Sequence, residues 1–185
     1  MTKFAYFEGA IRPIEDAKVS VMTHAFNYGT GWFGGLRGYW NAEHEQLYVF
    51  RIRDHYLRFL DSGKILMAQV EESVDDLIGV TVDLLRREGY RQDCYIRPLG
   101  YKADAMIGVR LHNLQDRLTI FSTPFGRYIE DEEGARVCVS SWRRVDDTAL
   151  PPRGKIVGSY VNSALIKSEA VLNGFDEALV LNHDG

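Results

Sequence analysis

The stretch RGKIVGSYVNSALIKSEA, residues 153–170, is the most informative part of this 185-residue sequence. It places Lys155 between two glycines, Gly154 and Gly158, and continues with Tyr160 and a segment of helical character. Small neighbours leave room around a lysine amine, which suits the approach of a flat carbonyl compound. The stretch therefore predicts a reactive lysine just before a helix.

Two interpretations of Lys155 follow from the sequence alone. A lysine before a helix is usually a solvated surface charge. The rigid Pro151-Pro152 pair and the flanking glycines favour a functional amine, because a Schiff-base lysine needs an open approach and a pKa lowered by its pocket. Tyr160 is equally open: it is either a buried core tyrosine or a hydrogen-bond partner of a cofactor phenolate.

The composition argues against several classes of function. Hydrophobic residues make up 45% of the chain and the net charge is −4, which provides no basic surface for nucleic acid or an anionic membrane. We find no signal-peptide pattern and no apolar run of the ~20 residues that a membrane span needs. Cys94 and Cys138 are predicted to be free thiols in a reducing compartment. The five histidines lack metal-ligand spacing, so we expect a cytoplasmic protein without a metal site.

Alternating apolar residues and turn signals predict several strands in the first part of the chain. The Glu8-Gly9 turn is predicted to close a hairpin at the start. Pro98 is predicted to mark an edge, a bulge or a strand end, because proline cannot donate a hydrogen bond to a neighbouring strand. The predicted strands are 4–7, 10–12, 19–22, 36–40, 47–51, 94–101 and 117–123.

Three helices are predicted from apolar residues at helical spacing. Residues 53–67 form the first helix, and Ser73 and Gly89 bound the second as its cap residues. Residues 160–172 form the third helix. Predicted strands at 136–142 and 177–182 flank it.

We therefore expect an α+β fold in two parts. Residues 1–124 are predicted to form a complete, small N-terminal α/β domain, and the polar segment 125–135 is predicted to be a linker. Residues 136–185 are predicted to begin a larger second domain. That domain is expected to continue past Asp184-Gly185, where a hairpin turn begins.

Three further residues are candidates for binding anionic groups. Arg58 lies on the first predicted helix and is either a solvated or ion-paired arginine or a planar donor for a phosphate dianion. Strand alternation places Tyr95 and Arg97 on one face, which suits a carboxylate-binding pair or a polar pair on a solvated face. The residues alone leave both questions open.

Several segments in order resemble the class IV, fold-type IV pyridoxal-phosphate aminotransferases, most closely those of branched-chain amino acids. The resemblance covers nearly the whole chain. Its strength lies in the order and separation of the segments, since each one alone is weak. The segments are DAKVSVMTHA (16–25), YGTG (28–31), FRIRDH (50–55), YIRPL (95–99), SSWR (140–143) and 155–170.

This resemblance implies a role for each matching residue. Lys155 would carry pyridoxal 5′-phosphate as a Schiff base and move the proton between cofactor and substrate carbons. Arg58 would hold the cofactor phosphate, and Tyr160 would lie near the ring hydroxyl. Tyr95 and Arg97 would lie on the carboxylate side of the substrate.

The resemblance also implies a substrate pocket shared between subunits, and so a homodimer or a higher homo-oligomer. Leucine, isoleucine and valine would all be accepted, because one methylene changes binding in an apolar pocket by only about 1–3 kcal/mol. 2-Oxoglutarate would be the amino acceptor. The pocket residues would be Phe33, Gly35, Phe125 and Tyr128 from one subunit, with Tyr28 and Val109 from its neighbour.

Two alternatives stay open at this point. D-Amino-acid aminotransferases and aminodeoxychorismate lyases have the same fold, although the Tyr95-Ile96-Arg97 segment favours the branched-chain group. The other alternative is a catalytically inactive product. In the family, a C-terminal portion pairs with the pyridine nitrogen and completes the phosphate site, and that portion is expected to be missing from this chain.

Overall fold

The computed structural model describes residues 2–126 and 134–185. Within these residues the chain forms nine strands and four α-helices, with short 3-10 turns at Ile14–Asp16 and Val157–Ser159. The strands are β1 (Phe4–Phe7), β2 (Ala10–Pro13), β3 (Gly31–Phe33), β4 (Leu36–Asn41), β5 (Gln46–Val49), β6 (Cys94–Lys102), β7 (Asp116–Pro124), β8 (Val137–Val139) and β9 (Glu177–Leu179). The helices are α1 (His24–Tyr28), α2 (Ile52–Ile65), α3 (Val74–Glu88) and α4 (Tyr160–Leu172).

Seven antiparallel strands form the main sheet, in the order β2-β1-β7-β6-β4-β5, and β3 also pairs with β6. The β6–β7 pair is its centre and runs from Cys94 opposite Pro124 to Lys102 opposite Asp116. Because β7 occupies one edge of β6 along its whole length, β3 and β4 share the other edge. The hairpin predicted at Glu8-Gly9 is confirmed as β1–β2, and β4 and β5 form a second hairpin.

Strands β8 and β9 form a separate, parallel two-stranded sheet, with Val137 opposite Glu177. Helix α4 lies between them in the chain, so the predicted strand–helix–strand order is confirmed, although both strands are shorter than predicted. After α4, the N–H of Phe175 donates to the C=O of Ala170 at 2.9 Å. This turn leads the chain from the helix into β9.

Local sequence determines where α3 begins and ends. Ser73 and Asp76 form a reciprocal capping box, in which each side chain accepts a hydrogen bond from the backbone N–H of the other residue. At the other end, Gly89 adopts the left-handed conformation with a φ of 67°, and its N–H donates to the C=O of Leu85. Both predicted caps are confirmed.

Helices α2 and α3 cover one face of the main sheet, and Trp32 is fully buried between sheet and helix. A Cβ on Gly63 of α2 would lie 2.9 Å from the Trp32 indole, and one on Gly100 of β6 would lie 2.2 Å from it. The lack of a side chain at both positions is what lets the helix and the strand approach this ring so closely.

Alternation along β6 separates the helix-covered face of the sheet from a second face. Cys94 and Ile96 are fully buried in the core beneath the helices. Tyr95, Arg97 and Leu99 are only partly buried, and their side chains point to the opposite face. The functional residues predicted on β6 therefore lie on the face that α2 and α3 leave uncovered.

A buried ion pair holds the segment after α2, residues 67–69, against the end of the sheet. Lys102 Nζ lies 2.9 Å from Asp116 Oδ1, and neither side chain is more than 4% exposed. Lys102 also donates to the C=O of Met67 at 3.3 Å, and the N–H of Gln69 donates to Asp116 Oδ2 at 3.0 Å. These contacts pair the two buried charges, either of which would be strongly destabilising without the other.

Two predictions about strands are wrong. Residues 19–22 form an exposed loop, because Ser20 makes local hydrogen bonds that turn the chain: its Oγ accepts from the N–H of Met22 and its C=O from the N–H of Thr23. Pro98 lies inside β6, not at an edge. Its C=O accepts from the N–H of Gly34, so the side of Pro98 that lacks a donor faces the break between β3 and β4.

We expect Gly100→Ala to lower the free energy of unfolding by about 1–3 kcal/mol or more, because the added methyl would overlap the Trp32 ring. Gly79→Ala is the matched control: Gly79 lies inside α3 with nothing within 4 Å of an added Cβ, so this variant should gain about 0.5–1 kcal/mol. Urea unfolding measures both. Equal stability of the two variants would contradict the tight contact at Trp32.

Candidate active site

The segment that carries Lys155 is attached to β3 and α2 through its backbone. The N–H of Phe33 donates to the C=O of Lys155 at 2.9 Å, and the N–H of Lys155 donates to Ser62 Oγ at 3.2 Å. The next residue, Ile156, forms an antiparallel bridge with Trp32 and is buried in the core. Lys155 is therefore held on both sides of its α-carbon.

The glycines beside Lys155 were predicted to leave room around its amine. In the structure they allow close contact between the lysine segment and its neighbours. A Cβ on Gly154 would lie 2.5 Å from Ile65 Cδ1 of α2. The N–H of Gly158 donates to the C=O of Gly29 at 3.0 Å, and a Cβ on Gly29 would lie 2.8 Å from Gly158 Cα. These glycines let the lysine segment lie directly against α2 and the loop after α1.

The Lys155 amine lies among aromatic groups. Its Nζ donates to Tyr160 Oη at 2.5 Å and lies 4.8 Å from the centroid of the Phe33 ring. The Phe33 and Tyr160 rings meet edge to face with centroids 4.6 Å apart. Tyr160 is 37% exposed, so the interpretation of this residue as a buried core tyrosine is wrong. The half-buried Lys155 amine thus has a hydroxyl partner on an exposed side chain.

Tyr95 and Arg97 form a second group, which meets the lysine group at Phe33. Arg97 Nε donates to Tyr95 Oη at 3.1 Å, so the prediction that both side chains share one face is confirmed. Arg97 Cζ lies 4.3 Å from the centroid of the Phe33 ring, within the range of a cation–π interaction. The buried Phe33 ring therefore contacts two cations, the Lys155 amine and the Arg97 guanidinium.

Gly35 and Phe125 lie beside Tyr95. The Tyr95 and Phe125 ring centroids are 5.7 Å apart. A Cβ on Gly35 would lie 2.4 Å from Tyr95 Oη, so the glycine allows the hydroxyl to occupy that position. Arg37 donates to the C=O of Phe125 at 3.2 Å and its guanidinium lies over the Phe125 ring. Both predicted pocket residues are thus neighbours of Tyr95.

Arg58 lies on an exposed part of α2 and is oriented by His55. Arg58 Nη2 lies 3.2 Å from His55 Nδ1, which accepts a hydrogen bond when the imidazole is neutral and protonated on Nε2. Burial lowers the pKa of His55 below 6.5, and the positive charge of Arg58 lowers that pKa further. The C=O of Arg58 accepts from Ser62 Oγ at 2.9 Å, so the same serine contacts Arg58 and Lys155.

Tyr28 and Val109 belong to a separate surface region. Tyr28 Oη accepts a hydrogen bond from the N–H of Gly108 at 3.0 Å, and its ring contacts His24. Val109, the next residue in the loop, is 77% exposed. Tyr128 lies outside the described residues, and its predicted place in the pocket stays a prediction.

Sequence reasoning missed several residues that hold this site together. Ser62 follows Arg58 by four residues, which places both on one face of a helix, and this spacing was the available signal. Arg37 gave no signal beyond its charge. The Trp32–Ile156 bridge could not be found from local pattern, since it joins distant parts of the chain.

Residues 2–126 and 134–185 contain no group of His, Cys, Asp and Glu side chains that could hold a metal ion. In that same part of the chain, no helix has the length and apolarity needed to cross a membrane. Cys94 and Cys138 are free, and burial raises the pKa of the Cys94 thiol to about 11. Cys94 is therefore an unreactive core residue at neutral pH.

The fold and this arrangement around a lysine define a class of protein. Residues 39–185 match the family described as Amino-transferase class IV. The chain belongs to this family and has the fold of the fold-type IV aminotransferases, as the sequence resemblance predicted.

Branched-chain aminotransferases are among the relatives of this chain. A probable branched-chain-amino-acid aminotransferase of Aquifex aeolicus (strain VF5) is 45% identical over 182 residues, or 98% of this chain and 58% of that protein. The crystal structure of the Thermoproteus uzoniensis branched-chain aminotransferase with norvaline has a TM-score of 0.95 at 39% identity and matches 100% of this chain and 61% of that one. The branched-chain amino acid aminotransferase of Thermobaculum terrenum in its PLP form, the holo form, has a TM-score of 0.91 at 35% identity, over 100% and 60% of the two chains. This chain thus spans 58–61% of the length of these relatives.

The lowered pKa of His55 predicts a pH dependence of stability. In the unfolded chain His55 binds a proton near its ordinary pKa of 6.5, whereas the folded protein binds that proton only at lower pH. The contribution of neutral His55 is therefore complete above pH 6.5 and declines as the pH falls. We expect the stability advantage of the wild type over His55→Asn to shrink between pH 7.5 and pH 5.5 in urea unfolding. A constant difference across this range would contradict the lowered pKa.

Proposed function

We propose that this chain is part of an enzyme that transaminates branched-chain L-amino acids with 2-oxoglutarate, using pyridoxal 5′-phosphate. The observation that carries the proposal is the Lys155 amine, which is bonded to Tyr160 Oη and contacts the same Phe33 ring as Arg97. An amine suits a carbonyl cofactor, and a nearby guanidinium suits a carboxylate substrate. The branched-chain aminotransferases among the relatives support this reaction class.

Lys155, Tyr160 and Arg58 fit pyridoxal phosphate as a cofactor. When bound, this group supplies an aldehyde that condenses with amines and a ring that accepts electrons from a carbon losing its proton. The half-buried Lys155 amine would bind the aldehyde carbon, and Tyr160 Oη would orient the ring hydroxyl. The exposed Arg58 guanidinium would bind the phosphate dianion as a planar donor. The PLP form of the T. terrenum relative supports this choice.

Lys155 also suits the role of acid and base. Its Nζ would take the proton from the substrate α-carbon and deliver it to the aldehyde carbon of the cofactor, a role worth about 10²–10⁴-fold in rate. The hydrogen bond to Tyr160 Oη restricts the long side chain, and the Phe33 ring excludes water from one side. The backbone hydrogen bonds on both sides of Lys155 limit how far its amine would move between the two carbons.

The residues around Tyr95 suit an aliphatic side chain next to a carboxylate. Phe33 and Phe125 offer apolar walls, and the lack of a side chain at Gly35 gives the Tyr95 hydroxyl its place between them. Arg97 would bind a carboxylate, which would let the same site accept leucine and then 2-oxoglutarate. Norvaline, the ligand of the T. uzoniensis relative, is an aliphatic amino acid of this kind.

An apolar groove supports a homodimer as the minimal assembly. A cavity of about 560 Å³ lies on the uncovered face of the sheet, and its lining includes Phe7, Phe26 and Leu99. Apolar grooves on a protein surface are typical places for a partner to bind. A second copy covering it would bury Phe26 and Val19, which line the groove and are 71% and 53% exposed. The same contact would bring Tyr28 and Val109 to the pocket of the neighbouring subunit.

Two further parts of the proposal concern organisation and location. We place the boundary of the first domain at residue 124 and the linker at 125–135, most of which lies outside the described residues. The second domain would begin at residue 136. Free cysteines and the net charge of −4 support a cytoplasmic enzyme without a nucleic-acid partner.

Replacing Lys155 by alanine tests the reaction. We expect Lys155→Ala to reduce transamination of L-leucine by about 10²–10⁴-fold or more, since the amine is both the attachment point and the acid–base group. Borohydride reduction in the presence of pyridoxal phosphate should label the peptide that contains Lys155 and leave the variant unlabelled. Peptide mass spectrometry measures the label.

Lys64→Ala is the matched control, because Lys64 is an exposed lysine of α2 that is paired with Asp61. This variant should keep both the label and the activity. Labelling of the wild type at another lysine would overturn the cofactor site. Faster turnover of D-alanine than of L-leucine would overturn the substrate class.

A charge placed in the apolar groove tests the assembly. Phe26→Asp should shift the protein from dimer to monomer in analytical ultracentrifugation, because burying an unpaired carboxylate is strongly unfavourable. Phe50→Asp is the control: Phe50 is 67% exposed, much like Phe26 at 71%, but lies in the turn between β5 and α2. If both variants stay dimeric, the groove is not the subunit interface.

A further inference from the structure

One stripe of helix α2 lies along the lysine segment. Arg58, Ser62 and Ile65 are spaced by four and three residues, so their side chains share one helix face. Ile65 lies against Gly154, where a Cβ would approach within 2.5 Å, and Ser62 is bonded to the Lys155 N–H. The stripe therefore fixes how α2 is placed along residues 154–155.

Ser62 is the polar member of this stripe and is almost completely buried, at 3% exposure. Its hydroxyl donates to the C=O of Arg58 at 2.9 Å and accepts from the N–H of Lys155 at 3.2 Å. A buried hydroxyl is stabilising only when such bonds are made. Both bonds of Ser62 go to backbone groups of residues whose side chains form the proposed cofactor site.

The lysine segment is attached to two elements, the main sheet and helix α2, and Ser62 forms the hydrogen bond to α2. Phe33 and Trp32 attach residues 155–156 to the sheet. Ser62 attaches Lys155 to α2, and Arg58 lies one turn away on that helix, a rise of about 5–6 Å. The hydroxyl is therefore a polar link between the backbone of Lys155 and the helix turn that carries Arg58.

We propose that Ser62 is a positioning residue that sets the spacing between the phosphate-binding arginine and the cofactor-binding lysine. The inference rests on the proposed function of Lys155 and Arg58. Ser62 acts through the backbone and touches no reacting group. Its loss should therefore affect a ligand that must reach both ends of the site, and leave almost unchanged a ligand held at the phosphate end only.

Two ligands separate these effects. Pyridoxal phosphate engages both Lys155 and Arg58, whereas pyridoxamine phosphate has no aldehyde and so forms no bond to the Lys155 amine. In the protein carrying this chain, Ser62→Ala should weaken pyridoxal phosphate binding about fivefold, the equivalent of one net hydrogen bond, and change pyridoxamine phosphate binding less than about twofold. Equal weakening of both ligands, or of neither, would overturn the role of Ser62. A wild type that binds neither ligand would instead overturn the proposed function.

Exchange of the Lys155 amide provides a readout that does not depend on any ligand. Without its acceptor, the Lys155 N–H should exchange with deuterium at least about fivefold faster in Ser62→Ala than in the wild type. Ser62→Cys, which fills the same space with a weak acceptor, should behave like Ser62→Ala. If Ser62→Cys keeps wild-type ligand binding and wild-type exchange, the volume of the side chain and not its hydrogen bond positions Lys155, and the proposal is wrong.

Thr81→Val is the matched control for the loss of a buried hydroxyl. Thr81 is fully buried on α3 and donates to the C=O of Leu77 four residues earlier, as Ser62 does on α2, but its other partner is Tyr56. Thr81→Val should lower global stability without changing either the ligand ratio or the exchange of Lys155. A changed ligand ratio in Thr81→Val would show that general destabilisation explains the effect, and the proposal would fail.

Discussion

The antiparallel bridge between Trp32 and Ile156 is the contact on which the site depends. Both side chains are buried, and Gly63 and Gly100 close on the Trp32 ring. Because side chains alternate along extended backbone, the residues next to this buried pair point the other way. Those residues are Phe33 and Lys155. The core contact thus places the lysine amine beside the aromatic ring, and a change in the core would move both.

Phe33 joins the two halves of the site. Its ring contacts the Lys155 amine and the Arg97 guanidinium, two cations that repel each other when close. The negative face of an aromatic ring attracts each cation by about 0.5–1 kcal/mol or more, which offsets part of this repulsion. An anionic substrate or cofactor phosphate would offset the rest. The site is therefore arranged around positive charge, as the proposed binding of a carboxylate and a phosphate requires.

Elements with local chemical signals could be predicted from sequence. Ser73 and Gly89 bound α3, where a capping box and a left-handed glycine act within a few residues, and α4 begins and ends as predicted. Prediction failed for residues 19–22, where a local turn replaces the strand, and for Pro98, whose place depends on distant strands. Residues 19–22 have strand-like composition but turn at Ser20, and Pro98 is tolerated inside β6 because it faces the break between β3 and β4.

The sequence by itself determined the family and the shared face of Tyr95 and Arg97, because the order of motifs and the alternation of a strand can be read along the chain. Only the tertiary structure decided that Ser62 accepts the Lys155 N–H, that Gly154 lies against Ile65, and that one phenylalanine contacts both cations. These contacts join β3, α2 and the 154–158 segment, which are far apart in the chain. The periodicity of the sequence indicates on which face of an element a side chain lies. Which residue it contacts there depends on how the sheet and α2 pack around Trp32.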